Sequence, residues 1–210
     1  KAAIDASRIH AVHILNRSVD ARQRNIKVNL KAGIFIDEEA PLRDKIPFSQ
    51  NNVSNAEPVI IIGSGPAGLF AALQLIEKKI KPVILERGKE VSERKKDVAK
   101  ISTEHIIDPE SNYCFGEGGA GTFSDGKLYS RSKKRGDLKK VFEWFYHFGA
   151  DESILYDAHP HIGTERLPEI IKKIRQYIID CGGEIHFNAK VIDLLIHDNA
   201  ITGVKCSNGE

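Results

Sequence analysis

The sequence is short of several things. It has no methionine among 210 residues, three cysteines, one tryptophan and 7% aromatic residues. A chain that begins at Lys1 and contains no methionine does not start at a translation start, so it is expected to be a processed or excised piece. Cys114, Cys181 and Cys206 are an odd, scattered set without C-x-x-C spacing. That argues against a disulfide framework and against a zinc site, and the three are expected to be reduced thiols, with no metal. Neither sign of charge dominates: 31 basic residues against 29 acidic ones give a net charge of +2, which removes a global polyanion partner. Hydrophobic residues make up 41%, too many for a disordered chain. No apolar run approaches the ~20 residues of a membrane span, and no signal-peptide pattern stands at the start, so a soluble cytoplasmic protein with no membrane partner is expected.

What the sequence does have is concentrated between Pro58 and Gly88. Val59 to Ile62 is an unbroken β-branched run, as in a parallel strand buried on both faces. Gly63, Gly65 and Gly68 follow in G-x-G-x-x-G spacing, then a helical pattern (Leu69, Ala72, Leu73, Ile76), then a second apolar run, Val83 to Leu85, ending in Glu86. In such a βαβ unit the first glycine permits the tight turn and the second lets backbone approach a pyrophosphate. The third lets helix and strand pack closely. The helix N-terminus stabilises an anion by roughly 0.3–2 kcal/mol, and an acid at the end of the second strand can accept from ribose hydroxyls. A dinucleotide cofactor is expected.

The loop from Asn112 to Lys127 carries glycines at 116, 118, 119, 121 and 126. Consecutive glycine N–H groups can form an anion-binding nest or let backbone lie flat against a ring, so Gly118, Gly119, Ala120, Gly121 and Thr122 are expected at the cofactor. Elsewhere the spacing predicts a helix within 90–106 and a helix capped by Asp137, with Leu138, Val141, Phe142, Phe145 and Phe148 as its core stripe. A further helix is predicted from about Arg166 to Cys181. Strands are expected at 184–187, 191–197 and 201–206, and before the βαβ unit at 12–16 and 26–36 after a short helical start. The organisation read from this is a small α+β domain over 1–50, a linker over 51–58 and an α/β domain over 59–210. Asn208-Gly209 is a hairpin signal without a returning strand, so the second domain is expected to be truncated at its C-terminal end.

Pro66-Ala67 between the glycines and Arg87 after Glu86 make the βαβ segment resemble the FAD-binding, glutathione-reductase-like flavoproteins. GSGPAGL at 63–69, ILERG at 84–88, NYCFGEGGAGTFSDGKLYSRSKKRGD at 112–137, DAHPHIGTERLP at 157–168 and NRSVDARQR at 16–24 resemble bacterial FAD-dependent dehydrogenases often labelled uncharacterised NAD(FAD)-utilising dehydrogenases. The resemblance covers nearly the whole chain. It implies a Rossmann-like FAD-binding domain, a parallel sheet with an antiparallel meander, and longer proteins of which this is the N-terminal part. FAD is the cofactor it implies, held by Gly63, Gly65, Pro66, Ala67, Gly68, Glu86 and Arg87. NAD(P)H is an electron partner to be considered, the substrate is a small molecule of unassigned identity, and the piece itself is expected to be inactive.

Catalytic residues do not stand out. His159 and His161 flank Pro160 and could shuttle a proton, but read first as a structural turn; Cys114 could be a redox thiol, with no resolving cysteine beside it in sequence. The basic run Lys127, Arg131, Lys133, Lys134, Arg135, Lys139 and Lys140 reads first as a solvated face. Seven basic residues against two acidic ones over 1–35 raise a second class of function, a non-redox FAD-stabilised binding or regulatory module that contacts RNA. No aromatic platform accompanies those charges, which argues against a nucleic-acid partner.

Overall fold

A computed structural model describes residues 5–40, 50–128, 136–163 and 165–207. By contacts the chain divides into Lys1–Pro47 with Lys127–Ile162, and Phe48–Gly126 with Gly163–Glu210. This differs from a split into 1–50 and 59–210, because residues 127–162 cluster with the N-terminal segment. Arg131, Lys133, Lys134 and Arg135 of the basic run, and Asn208-Gly209, lie outside the described residues.

The first unit is built on an antiparallel ribbon of β1 (Ile9–Asp20) and β2 (Lys27–Ile36), entered through a single 3-10 turn at Ala6–Arg8. Both strands were expected, but β1 runs well beyond 12–16, because register shifts at Ile9/Ala11 and Ile14/Asn16 interrupt its alternation without ending its pairing. The ribbon is joined to residues 156–158 by two backbone bonds, Arg17 N–H to the Tyr156 carbonyl and Ala158 N–H to the Arg17 carbonyl, both 2.9 Å. Arg17 also grips Asp157 through two parallel bonds of 2.6 Å. With Arg8 on Asp37 and Arg22 on Asp20, three of the seven basic residues over 1–35 hold carboxylates. In the same unit the helix Leu138–His147 starts where Asp137 accepts from the N–H groups of Lys139 and Lys140. Its buried residues are Trp144 and Phe145, followed by Phe148, whereas Leu138, Val141 and Phe142 are half-buried. Trp144 was not part of the expected stripe.

The second unit is a mixed α/β body with a parallel sheet. Strand β3 (Pro58–Ile62) leads into helix α1 (Pro66–Glu77) and strand β4 (Lys81–Leu85), and β5 (Glu184–His186) pairs on the far side of β4. Helix α2 (Val91–Thr103) precedes the glycine loop; the Leu138–His147 helix is α3, and α4 (Arg166–Asp180) precedes β5. The apolar residues of α1 (Leu69, Ala72, Leu73, Ile76) and α4 (Ile170, Ile171, Ile174, Ile178) are buried with Ile84 of β4. Strands β6 (Val191–His197) and β7 (Ala200–Cys206) form an antiparallel ribbon, turned at Asp198 and Asn199, both with positive φ.

The stretch expected as a linker is, from residue 50 onward, docked on this unit. The Asn51 amide donates to the carbonyls of Ile76 and Glu77 at the end of α1, and Val53, fully buried, donates its N–H to the Cys181 carbonyl at the end of α4. Helix C-termini leave carbonyls without intrahelical donors, and this polar segment supplies them. No helix among the described residues is long and apolar enough to cross a membrane. No group of three metal-ligating side chains occurs among them either.

Candidate functional site

The turn between β3 and α1 is built as the glycine spacing requires. Gly63 has φ +94°, which only glycine adopts without strain. A Cβ on Gly68 would stand 2.0 Å from the Gly63 carbonyl oxygen and 3.2 Å from Ile61, so the third glycine is what lets α1 lie against β3. Gly65 is different. Its backbone is ordinary (φ −69°, ψ −178°), and a Cβ there would meet only the Gly119 Cα at 4.0 Å. Packing among the described residues therefore does not require glycine at 65, which stands at the N-terminus of α1, where Pro66 occupies the first helical position and the N–H groups of Ala67 and Gly68 have no intrahelical acceptor.

Glu86 is 4% exposed and closes this turn. Its Oε2 accepts from the Ser64 N–H (2.7 Å) and the Ser64 hydroxyl (2.9 Å), and its Oε1 from the Gly88 N–H (2.8 Å). Three donors on a carboxylate with about four acceptor sites leave one on Oε1. The acid expected to serve a ribose is therefore first a brace of the glycine turn.

The glycine loop crosses the same place. Gly118 donates its N–H to the Ser64 carbonyl at 2.9 Å, and Gly119 (φ +72°) faces Gly65 and Pro66 so closely that a Cβ would approach the proline Cδ to 3.2 Å. Four N–H groups of the loop are not free to form the expected anion nest. The N–H groups of Glu117, Gly118, Gly119 and Thr122 are committed to the carbonyls of Lys89, Ser64, Gly116 and Gly119. Thr122 is likewise turned inward: fully buried, its hydroxyl reaches the Glu117 and Gly119 carbonyls. Gly118 is a packing glycine, since a Cβ would strike the Thr122 hydroxyl and Ile171. Pro66, Ala67, Ala120 and Gly121 are exposed.

Arg94 holds the loop in this shape and was missed in sequence. Completely buried on α2, it donates to the carbonyls of Asn112 (2.9 Å), Tyr113 (3.1 Å), Gly116 (3.3 Å) and Glu117 (2.6 Å) and to the Thr122 hydroxyl (2.9 Å). Burial lowers its pKa, with Glu86, Cys114 and Glu117 opposing. Gly116 is required beneath it, because a Cβ would stand 2.5 Å from the Arg94 side chain.

Glu117, within the loop, is a second buried ionisable group. Its Oε2 accepts from the Val91 N–H (2.7 Å) and from Arg175 (3.2 Å), while its Oε1 has no hydrogen-bond partner among the described residues. Arg175 is shared with Glu90 at 3.0 Å, so it offsets only part of the desolvation, and burial pushes the Glu117 carboxyl up to about 7. The native state thus holds this proton at pH values where the unfolded chain has released it. The linked stability is fully present below pH 4.5 and is lost as pH rises from 4.5 to about 7, on the order of 3 kcal/mol in all. Glu117→Gln removes that dependence. Thermal melts are expected to show the variant gaining on the natural protein between pH 5 and pH 8; parallel melting curves across that range would contradict the assignment.

Glycine turn, acid and loop enclose a cleft of about 350 Å³, lined by Ile62, Gly63, Gly65, Leu85, Glu86 and Arg87 on one side, Cys114, Phe115, Gly116 and Gly119 on the loop, and Ala189 to Val191. Cys114 is exposed; Cys181 and Cys206 are buried, and burial raises the Cys181 thiol. His159 and His161 are exposed and belong to the first unit.

Residues 58–95 match the FAD binding domain family, and residues 1–35 match a family described only as a domain of unknown function. An uncharacterised protein of Clostridium beijerinckii is 35% identical over 211 residues, which cover 93% of this chain and 39% of that protein. The dual trans-enoyl reductase/FAD-dependent monooxygenase tazHJ of Aspergillus terreus is 26% identical over 183 residues, covering 80% of this chain and 22% of that one. The chain therefore spans about two fifths or less of the length of these relatives. Among solved structures, glycine oxidase from Bacillus cereus matches at a TM-score of 0.36 and 16% identity over 74% of this chain and 54% of its own. L-amino acid deaminase from Proteus vulgaris matches at 0.33 and 15% over 74% and 45%. The segment 58–95, which holds the glycine turn, α1 and Glu86, is thus the part of the chain similar to the FAD binding domain family.

Proposed function

We propose that this chain is the cofactor-binding part of an FAD-dependent oxidoreductase acting on a small-molecule substrate, with a Rossmann-like, glutathione-reductase-like fold in its second unit. The observation that carries the reading is a glycine at 65 whose Cβ the described residues would accommodate without a clash. A glycine that packing among the described residues does not require, at the head of a helix and directly after Ser64, which the buried Glu86 holds, fits a diphosphate lying against bare backbone. When bound, FAD supplies two-electron chemistry at its isoalloxazine ring.

The residues of the chain supply binding and orientation. The α1 N-terminus, with the N–H groups of Ala67 and Gly68, faces the diphosphate, and Gly63 and Gly65 keep side chains out of its way. Glu86, held in place by Ser64 and Gly88, offers its remaining Oε1 acceptor site to a ribose hydroxyl. Gly119 closes over Gly65 from the loop, and the exposed backbone of Ala120 and Gly121 leads on toward the flavin side. His159, His161 and Cys114 are left as candidates for proton or thiol chemistry, with NAD(P)H as the electron partner to try first.

The full-length protein is the sample to test. It is expected to purify yellow or to take up added FAD, to release FAD rather than FMN on denaturation, and to bleach when reduced anaerobically by NADH or NADPH. Failure to retain or take up FAD would overturn the reading; FAD bound but inert to both nicotinamides would leave the cofactor and remove that electron partner.

A further inference from the structure

We propose that Phe115 and Arg87 form the shelf on which the adenine ring of the cofactor stacks, an inference that rests on the cleft being the site of the adenosine half. Phe115 is the one aromatic residue among those lining the cleft, and it is 40% exposed although Gly116 and Glu117 directly after it are buried. Burying a phenyl ring is the ordinary outcome for such a residue, and here the backbone delivers it to the cleft instead. Its position is fixed from below: the Asn112 side-chain oxygen accepts from the Phe115 N–H at 3.3 Å, and the Phe115 carbonyl accepts from the Asn112 N–H at 3.1 Å.

The ring is already half of a stack. The Arg87 guanidinium carbon lies 4.1 Å from the Phe115 ring centroid. Arg87 does not swing freely, because Glu110 accepts from its Nε, and the same carboxylate holds Lys190 at 2.7 Å. A planar guanidinium pinned on a phenyl face gives a rigid platform with the quadrupole and charge that purines stack on.

The chain order of the site puts the base here. With the diphosphate at the α1 N-terminus and a ribose hydroxyl at Glu86, the base attached to that ribose extends away from the phosphates. Arg87 is the residue immediately after Glu86, and it lines the cleft with Phe115. Nothing else in the lining offers a flat π surface; Ala189 and Val191 are apolar walls.

The test uses the full-length protein freed of flavin, with FAD and ADP as the two probes, since both carry adenosine diphosphate and ADP lacks the flavin. Phe115→Leu keeps the bulk and both backbone bonds to Asn112 and removes the ring. It is expected to weaken FAD and ADP by the same factor, about 5- to 150-fold, with an unchanged melting midpoint in the absence of ligand. Phe115→Tyr keeps the ring and is expected to bind both as the natural protein does, which separates loss of stacking from loss of fold. Unaltered affinities in Phe115→Leu, or a loss for FAD without one for ADP, would overturn the shelf while leaving the FAD reading in place. A natural protein that binds neither probe would overturn both.

Discussion

Arg94→Met is expected to destabilise the second unit by about 3–5 kcal/mol and to empty it of flavin. The reason lies in what the guanidinium leaves behind. Four carbonyls and one hydroxyl point at a fully buried side chain, and methionine offers none of them a donor. A buried acceptor stripped of its partner costs about 1–3 kcal/mol, and breaking a buried charged arrangement by removing one partner costs about 3–5 kcal/mol. The acceptors belong to one stretch, Asn112 to Thr122, so they fail together and the loop leaves the glycine turn it covers. Arg94→Lys keeps the charge but not the fork, and is expected to fall between the two, because a single ammonium cannot span carbonyls spread from Asn112 to Glu117. Urea unfolding of the three proteins, read beside their flavin content, measures both effects. A variant as stable as the natural protein would show that the loop is held by something other than Arg94.

That residue also marks the limit of what could be read in the sequence. The glycine turn was legible because each requirement is local: a positive φ at Gly63, a close approach at Gly68 and an acid at the end of the next strand sit within one βαβ unit. The cap at Asp137 and the strands at 184–186, 191–197 and 200–206 were legible for the same reason. Arg94 stands in VSERKKDVAK, where its neighbours are surface cations, and only contacts 18 to 28 residues away distinguish it. The hint available was the loop itself: closely spaced glycines leave carbonyls that need a donor from elsewhere. Glu117 was hidden in the same way, inside a loop whose composition suggests exposure.

The misreadings have a common cause as well. The loop was expected to turn its N–H groups toward an anion or to lay its backbone against a ring, but the N–H groups of Glu117, Gly118, Gly119 and Thr122 turn inward, because a loop this rich in glycine must satisfy its own backbone before it can present a surface. Thr122 follows them. The polar stretch after Pro47 looked like a linker because it lacks apolar periodicity, yet its amides and N–H groups are what the C-termini of α1 and α4 require. Residues 127–162 separate from the sheet-bearing unit through partners far off in sequence, Arg17 with Asp157 above all.

The central claim is that the space above Gly65 belongs to a cofactor diphosphate, and Gly65→Val tests it most directly. The backbone at 65 is extended and accepts a β-branched residue, and a new Cβ meets only the Gly119 Cα at 4.0 Å, in a glycine loop that can yield to the two methyl groups, so the protein without ligand is expected to fold, with its melting midpoint as the control for any crowding against Gly119. A diphosphate against that backbone would meet the added methyl groups, and neither the helix terminus nor the phosphate can repack around them. The expected loss in FAD affinity is roughly 100-fold, the upper part of what forcing extra methyl groups into a filled space produces. Titration of the flavin-free full-length proteins with FAD decides the matter. An unchanged melting midpoint with FAD binding lost in Gly65→Val is the predicted result; equal FAD affinity in the two proteins would contradict the account.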